Sequence, residues 1–143
     1  MPAPATLLVV EDDPAVTRAL SRLLRDQGVA FRAVDSLAGA LDADTRNATA
    51  IIDLELPDGS GLALFEQLHA SGAVAAVVFF SATVDAQQIA QARRLGVFVP
   101  KQAGATAAVK AALLLRPSES SELGQRPRYQ STLTTNVAIT KTK

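Results

Sequence analysis

The sequence predicts an α/β fold in which a five-stranded parallel sheet is covered by helices on both faces. Apolar segments of strand length alternate with segments of helical period as far as about residue 116. The segment 74–80 is apolar throughout, which is typical of a strand that helices cover on both faces. Alternating strands and helices favour parallel pairing, because right-handed crossover connections place the helices on both sides of the sheet.

The first strand is predicted at 6–10, and the first helix follows it directly. Asp13 before Pro14 is typical of a helix start, with Asp as the cap and Pro in the first turn. From Val16, apolar residues recur at i, i+3, i+4, i+7 and i+8, with arginines on the opposite side. Gly28 ends this pattern, so the helix is predicted to end there.

The remaining strands and helices continue the same alternation. Ser36 is a candidate cap for the second helix, and the segment 56–59 is typical of a turn. The other predicted strands are 29–34, 50–54, 74–80 and 97–99. The other predicted helices are 36–43, 60–70, 84–95 and 105–115.

Composition excludes several classes of function. The 143 residues suffice for one domain with a short appendage, and 48% hydrophobic content favours a soluble globular fold. Fourteen basic and fourteen acidic residues produce no net field, so neither nucleic acid nor a membrane is an expected partner. The absence of cysteine excludes disulfides and thiolate zinc sites. No segment is long enough to span a bilayer, and we expect a cytoplasmic protein.

The chain divides at residue 116 into a domain at 1–116 and a polar tail at 117–143. The domain carries a net negative charge, and the tail carries a net positive one. The tail is rich in Ser, Thr, Pro and Gly, so a disordered tail is one interpretation. Scattered apolar residues near its end, such as Leu133, leave strand addition to a sheet edge open. The tail is too short for a DNA-reading domain, and direct transcriptional control is not expected.

Chemically distinctive residues follow four of the predicted strands. Glu11 and Asp12 follow the first strand, Asp53 ends the third, Ser81 follows the fourth and Lys101 follows the fifth. In an open parallel sheet the carboxyl ends of the strands share one edge, where ligands bind. We therefore expect these side chains to converge.

Such a cluster suits phosphoryl transfer. Neighbouring carboxylates repel one another, and Mg²⁺, which prefers carboxylate and phosphate oxygens, relieves that repulsion. Asp53 could then accept a phosphoryl group, Lys101 could neutralise its oxygens and Ser81 could donate a hydrogen bond to them. Each residue also has an ordinary interpretation, as a helix cap, a strand-ending acid or a solvated lysine. Their conjunction at successive strand ends favours the functional interpretation.

Three segments resemble the receiver (CheY-like) domain of two-component response regulators. They are 7–14 (LLVVEDDP), 51–61 (IIDLELPDGSG) and 78–82 (VFFSA), and the resemblance covers about residues 6–115. The pattern Asp-x-x-x-Pro-x-x-x-Gly in the second segment is specific when it lies about 40 residues after an acidic pair. The resemblance implies a sheet in the order 2-1-3-4-5.

The resemblance also assigns the residues of a phosphorylation site. It implies that Asp53 is the phosphoacceptor and that Asp12 binds Mg²⁺ directly. Glu11 would act mainly through water, and the backbone carbonyl of Glu55 would complete the metal's protein ligands. Asp13 lies outside the acidic pair.

Three further positions correspond to the family's switch. Ser81 takes the place of the switch Ser/Thr, Lys101 that of the conserved-type lysine, and Phe98 that of the aromatic whose rotamer reports phosphorylation. The family usually has Pro after this lysine, whereas Gln102 stands here, so we expect a trans bond and an altered loop. The segment 96–101 is also about two residues shorter than the usual family spacing, which leaves the reach of Lys101 open.

Our first hypothesis is a stand-alone response regulator in a phosphorelay. Asp53 would receive the phosphoryl group of a phosphohistidine on a kinase or phosphotransfer protein, and a downstream protein would respond. We expect no enzymatic activity beyond Mg²⁺-dependent self-phosphorylation and self-dephosphorylation. The alternatives are a receiver-like interaction module that is uncoupled from phosphorylation and, from the Asp53–Glu55 pattern, an aspartyl-phosphate hydrolase.

A homodimer through the helix 4–strand 5–helix 5 face or the tail also remains open, because the leucines at 113–115 cannot all face inward.

Overall fold

A computed structural model describes residues 6–116, which form a five-stranded parallel sheet flanked by helices. The strands are β1 (Leu7–Val10), β2 (Phe31–Val34), β3 (Ala48–Ile52), β4 (Val74–Ser81) and β5 (Val97–Pro100). Their spatial order is β2-β1-β3-β4-β5, and every neighbouring pair is parallel. The predicted fold class and strand order are therefore confirmed. The predictions for the tail at 117–143 lie outside the described residues.

Five α-helices connect or follow the strands. They are α1 (Pro14–Asp26), α2 (Leu37–Leu41), α3 (Gly61–Ala70), α4 (Ala86–Leu95) and α5 (Ala105–Leu115). Two smaller elements were not predicted. A short antiparallel hairpin, here called the loop hairpin, pairs Glu55–Leu56 with Gly59–Ser60, and a 3₁₀ turn spans Lys101–Ala103. No helix among the described residues combines the length and apolar character that crossing a bilayer requires.

Side-chain caps mark the starts of α1, α2, α3 and α4, whereas α5 has none. The Asp13 carboxylate accepts a hydrogen bond from the N–H of Ala15 at 2.9 Å, with Pro14 in the first turn, as predicted for α1. Asp85 caps α4 in the same way through the N–H of Gln87. This cap explains why α4 begins at Ala86, two residues later than the hydrophobic pattern indicated.

Helices cover both faces of the sheet. The side chains of successive strand residues therefore point alternately into two different cores. Leu8 and Val10 of β1 point to a core shared with α2, α3 and α4, whereas Leu7 and Val9 point to a core shared with α1 and α5. All four residues of β1 are fully buried. The polar residues follow at the carboxyl edge of this buried sheet.

The third strand lies two residues earlier than predicted. Its pairing begins at Ala48, and the N–H of Thr49 donates to the carbonyl of Thr6, so the ladder includes one residue that appears polar in the sequence. The strand ends at Ile52, because the chain turns where the Asp53 carboxylate accepts a hydrogen bond from the N–H of Glu55. Asp53 therefore lies at the mouth of the sheet rather than inside a strand.

The three consecutive leucines of α5 divide as the helical period requires. Leu113 packs against the core shared with α1, whereas Leu114 is 87% exposed and Leu115 is 36% exposed. Exposed leucines by themselves do not show a partner, so the homodimer stays a prediction.

Gly96→Ala should destabilise the fold more than a surface glycine substitution. A Cβ at position 96 would lie 2.4 Å from the carbonyl oxygen of Val77, in a backbone conformation that any residue adopts. Relieving that clash requires a shift of α4 or β4, which should cost about 3 kcal/mol of unfolding free energy. Urea unfolding followed by circular dichroism measures the loss.

Gly28→Ala is the control, because a Cβ there meets nothing within 4 Å and only the left-handed backbone is disfavoured. Its expected loss is about 1 kcal/mol. Equal losses for the two variants would contradict the close approach of residue 96 to β4.

Candidate functional site

Three carboxylates meet at the carboxyl edge of the sheet. Because Val10 pairs with Ile52, the residues that follow β1 and β3 leave the sheet side by side. Glu11, Asp12 and Asp53 each offer a carboxylate oxygen, and these oxygens lie within 4.8 Å of one another. Glu11 and Asp53 are 3% and 8% exposed, whereas Asp12 is exposed. The group is thus open to solvent on one side only.

Backbone hydrogen bonds hold the two buried carboxylates in place. The N–H of Glu11 donates to the Val34 carbonyl at 3.1 Å, and the N–H of Asp53 donates to the Val10 carbonyl at 3.0 Å. Each carboxylate also accepts a local N–H. Asp13 donates to Glu11 Oε2, and Glu55 donates to Asp53 Oδ1, both at 3.1 Å. The sheet ladder thus continues one residue past each strand and orients the acids.

Lys101 reaches both buried carboxylates. Its Nζ lies 2.9 Å from Glu11 Oε1 and 3.4 Å from Asp53 Oδ2. The Phe80 ring lies beneath the ammonium, with its centroid 5.4 Å from Nζ. The short segment before Lys101 therefore does not prevent this contact. All peptide bonds within residues 6–116 are trans, the bond to Gln102 included, and the loop forms the 3₁₀ turn instead.

Burial and mutual attraction set the protonation of this cluster. Burial raises the pKa of Glu11 above its ordinary value of 4.5, and the hydrogen bonds from Lys101 and the N–H of Asp13 offset only part of that rise. Burial by itself would lower the pKa of Lys101. The hydrogen bond to Glu11 and the charges of Asp53 and Glu11 outweigh burial, so the pKa of Lys101 is raised. The ammonium therefore remains charged at neutral pH.

The donor set is compatible with a hard divalent cation. All the available ligands are oxygens, the three carboxylates lie close enough to share one ion, and Asp12 leaves the group open for water or phosphate ligands. The side chain of Glu55 is exposed and is not one of the three. The role of its backbone carbonyl remains a prediction. Asp13 caps α1, in keeping with its expected place outside the acidic pair.

The predicted switch residues Ser81 and Phe98 lie on the two neighbouring strands β4 and β5. Ser81 is fully buried at the end of β4, and its hydroxyl accepts a hydrogen bond from the N–H of Thr83 at 3.3 Å. Among residues 6–116, Ser81 makes no hydrogen bond to the carboxylates. Phe98 is half-buried against the α2–α3–α4 core, and the Arg93 guanidinium lies 5.9 Å from its ring centroid. Their switch roles remain predictions.

Sequence reasoning overlooked two contributors to the site. The apolar segment 74–80 predicts only core positions for Phe80, although the ring lies under Lys101 on the sheet face opposite Phe79. Thr83 holds the loop before α4, where its hydroxyl donates to Gln88 Oε1 and accepts from the N–H of Asp85. A signal existed for Thr83, because a Thr two residues before a capping Asp is typical of a side-chain turn.

Comparison with known proteins identifies the family. Residues 7–112 match the response regulator receiver domain. The chain belongs to this receiver domain family. The predicted resemblance is therefore confirmed, and the protein is a CheY-like receiver of the two-component signalling type.

Similar proteins include two curated regulators. The chain is 32% identical to the transcriptional regulatory protein FixJ of Azorhizobium caulinodans, over 96% of this chain and 67% of FixJ. It is 33% identical to the acid tolerance regulatory protein ActR of Rhizobium meliloti, over 85% of this chain and 64% of ActR. The chain thus spans about two thirds of the length of these relatives.

Solved receiver domains have the same fold. The signal receiver domain of NarL from Mycobacterium tuberculosis aligns with a TM-score of 0.62 and 25% identity, covering 80% of this chain and 97% of that one. A response regulator receiver domain from Rhodospirillum rubrum aligns with a TM-score of 0.63 at 22% identity, covering 87% of this chain and 99% of that one. The latter similarity supports the fold alone.

Mg²⁺ should raise the unfolding free energy of this receiver, and Asp12→Asn should remove most of that gain. A cation that binds only the folded acidic group stabilises it by about 1.4 kcal/mol at ten times its dissociation constant. Urea unfolding with and without MgCl₂ measures the effect. Asp13→Asn is the matched control, because Asn caps a helix as well as Asp does. A gain that survives Asp12→Asn would exclude Asp12 as a ligand.

Lys101→Met should raise the pKa of Glu11 further, because the hydrogen bond from the ammonium lowers it. A carboxyl group with a raised pKa in the folded state contributes stability below its unfolded pKa and loses it as pH rises through the folded value. Stability of the variant should therefore fall more steeply with pH above about 4.5 than that of the wild type. Carboxyl ¹³C NMR titration measures the pKa directly.

The control for this titration is Lys110→Met, which removes the charge of an exposed lysine on α5. It should leave the pKa of Glu11 unchanged. A Glu11 titration that is identical in Lys101→Met and the wild type would mean that the 2.9 Å contact does not persist in solution.

Proposed function

We propose that this receiver acts in the cytoplasm and accepts a phosphoryl group on Asp53 from a phosphohistidine of a histidine kinase or phosphotransfer protein. The observation that carries the proposal is the position of Lys101 Nζ, 3.4 Å from Asp53 Oδ2 and 2.9 Å from Glu11 Oε1. A cation at this point neutralises the negative charge of the Asp53 carboxylate before transfer and that of the phosphoryl oxygens after it. A strand-ending acid without such a function requires no such neighbour.

Mg²⁺ would be held by Asp12 and Asp53, with Glu11 acting through water and the Glu55 carbonyl as a further ligand. When bound, it would neutralise negative charge on the phosphoryl oxygens. This assignment is supported by the all-oxygen donor set and by the solvent-facing side at Asp12. Lys101 contacts Glu11 and Asp53 but not Asp12, and a bound cation would compensate the charge of this third carboxylate.

The transfer itself needs little from the protein beyond position. A carboxylate oxygen of Asp53 attacks the phosphorus, and the bond from phosphorus to the imidazole nitrogen of the donor breaks. The electron pair of that bond returns to the imidazole, which then takes a proton from solvent. The N–H of Glu55 holds one oxygen of Asp53, while Lys101 faces the other.

Phosphorylation would act as a switch through Ser81. The new group brings acceptor oxygens and negative charge next to Asp53. Ser81 Oγ would leave the N–H of Thr83 and donate to a phosphoryl oxygen, and Phe98 would change its rotamer. A downstream protein would read the change at the surface formed by α4, β5 and α5. Catalysis by this chain would be limited to its own phosphorylation and dephosphorylation.

The uncoupled interaction module remains the second candidate. One observation favours it: a 3₁₀ turn begins at Lys101, where the family usually continues with Pro. In such a module the site would persist while the α4–β5–α5 surface stayed unchanged.

Incubation with Mg²⁺ and phosphoramidate, a small donor with a phosphorus–nitrogen bond, should add one phosphoryl group to the wild type. Asp53→Asn should abolish the gain, because the amide is not a nucleophile under these conditions. Asp35→Asn, which alters an exposed acid that is not one of the three clustered carboxylates, is the matched control and should retain the gain. Intact mass spectrometry measures all three proteins.

A wild type that gains no phosphoryl group and binds Mg²⁺ weakly would favour the uncoupled module. Steady turnover of phosphate esters would instead indicate a hydrolase. Either result would overturn the phosphoacceptor proposal.

A further inference from the structure

The loop that follows Asp53 is tied to a helix outside the acidic pocket. At the tip of the loop hairpin, Asp58 Oδ1 accepts a hydrogen bond from the N–H of Leu37 at 2.8 Å, and Oδ2 accepts one from the N–H of Ala38 at 3.0 Å. These N–H groups belong to the first turn of α2, where a helix offers them no internal partner. Both oxygens of Asp58 are thus used on a segment about 20 residues earlier in the chain.

The helix already has a local cap, so Asp58 is a second and separate one. Ser36 Oγ accepts from the N–H of Gly39 at 3.0 Å, as expected for a serine at this position. The tip of the hairpin also packs on the helix, because a Cβ at Gly59 would lie 2.8 Å from Leu37 Cδ1. The contact therefore restrains the hairpin as well as α2.

The other end of the same hairpin orients Asp53. Glu55 pairs with Ser60 across the hairpin, and its N–H donates to Asp53 Oδ1 at 3.1 Å. The N–H of Gly61 donates to the Leu54 carbonyl at 2.9 Å and closes the loop on the end of β3. Lys101 contacts Oδ2, so the N–H of Glu55 is the one hydrogen-bond donor to Oδ1 among residues 6–116.

We propose that Asp58 is a positioning residue for the phosphoacceptor, which holds the loop hairpin against α2 so that the N–H of Glu55 fixes the orientation of Asp53. This inference rests on the proposed function of Asp53. Asp58 touches neither the acidic group nor Lys101, and it acts only through the backbone of the hairpin.

The charge state of Asp58 suits this role. The hydrogen bonds from the N–H groups of Leu37 and Ala38 lower the pKa of Asp58 below its ordinary 3.8, so both oxygens are acceptors at neutral pH. An Asn at this position would offer one acceptor oxygen and turn its amide N–H toward the other donor.

The test compares Asp58→Ala with Ser36→Ala. Both variants remove a cap from the first turn of α2, but only the first releases the hairpin. Asp58→Ala should lower the maximal rate of phosphoryl uptake from phosphoramidate at saturating Mg²⁺ by about tenfold, without changing the donor concentration at half-maximal rate. Ser36→Ala should stay within about twofold of the wild type, and Asp58→Asn should be intermediate.

A second measurement does not depend on phosphorylation. Hydrogen exchange of the Glu55 amide, followed by ¹H–¹⁵N NMR, should be about tenfold faster in Asp58→Ala than in Ser36→Ala, because the bond to Asp53 Oδ1 would open more often. Asp42→Ala is the control for charge, since this exposed acid lies at the other end of α2. It should change neither measurement.

Equal uptake rates in Asp58→Ala and Ser36→Ala would overturn the inference, whether or not the Glu55 amide exchanges faster. Asp58 would then be only a cap of α2. A wild type that takes up no phosphoryl group would refute the proposed function instead. In that case the exchange rate of the Glu55 amide in Asp58→Ala still tests whether Asp58 restrains the loop hairpin. An unchanged rate would refute that restraint, and a faster rate would support it. Should Asp58→Ala fail to fold, Asp58→Asn carries the same comparison.

Discussion

The parallel alignment of β1 with β3 is the constraint on which the site depends. Because Val10 pairs with Ile52, Glu11 and Asp53 leave the sheet as neighbours, and their charges need a counterion. Lys101, which follows β5, supplies it from the far edge of the sheet. A one-residue slip of either strand would turn every side chain to the opposite face and separate the acids. The two apolar cores prevent that slip.

Within the site, ionised Glu11 opposes folding stability, whereas charged Lys101 contributes to it. Burial raises the pKa of Glu11, which means that keeping this group ionised opposes folding. Removing one partner of a buried ion pair leaves an uncompensated charge, so Lys101 is needed even without a phosphoryl group. Buried carboxylates are unfavourable for folding, and such unfavourable groups are expected at functional sites. Glu11 and Asp53 bring two carboxylates against the single positive charge of Lys101, so a further cation would still be attracted to the site.

Much of the fold was predictable because its signals are local. The spacing of apolar residues predicted α1, and the Asp13–Pro14 cap predicted its start. The third strand was placed two residues too late, since the pairing of Thr49 depends on neighbouring strands and its side chain appears polar. The loop hairpin was interpreted only as a turn. Its two-residue strands carry no periodicity, and their pairing depends on the loop that closes onto Gly61.

The sequence by itself determined the order of strands and helices and the identity of the polar residues at their ends, because periodicity and caps act over a few residues. The tertiary structure alone decided that Lys101 spans the distance to Glu11, that Ser81 bonds to Thr83 and that Asp58 binds the first turn of α2. The contacts of Lys101 and Asp58 join residues about 20 or more apart. Their geometry depends on how strands align and which rotamers the core permits, and no local pattern encodes either.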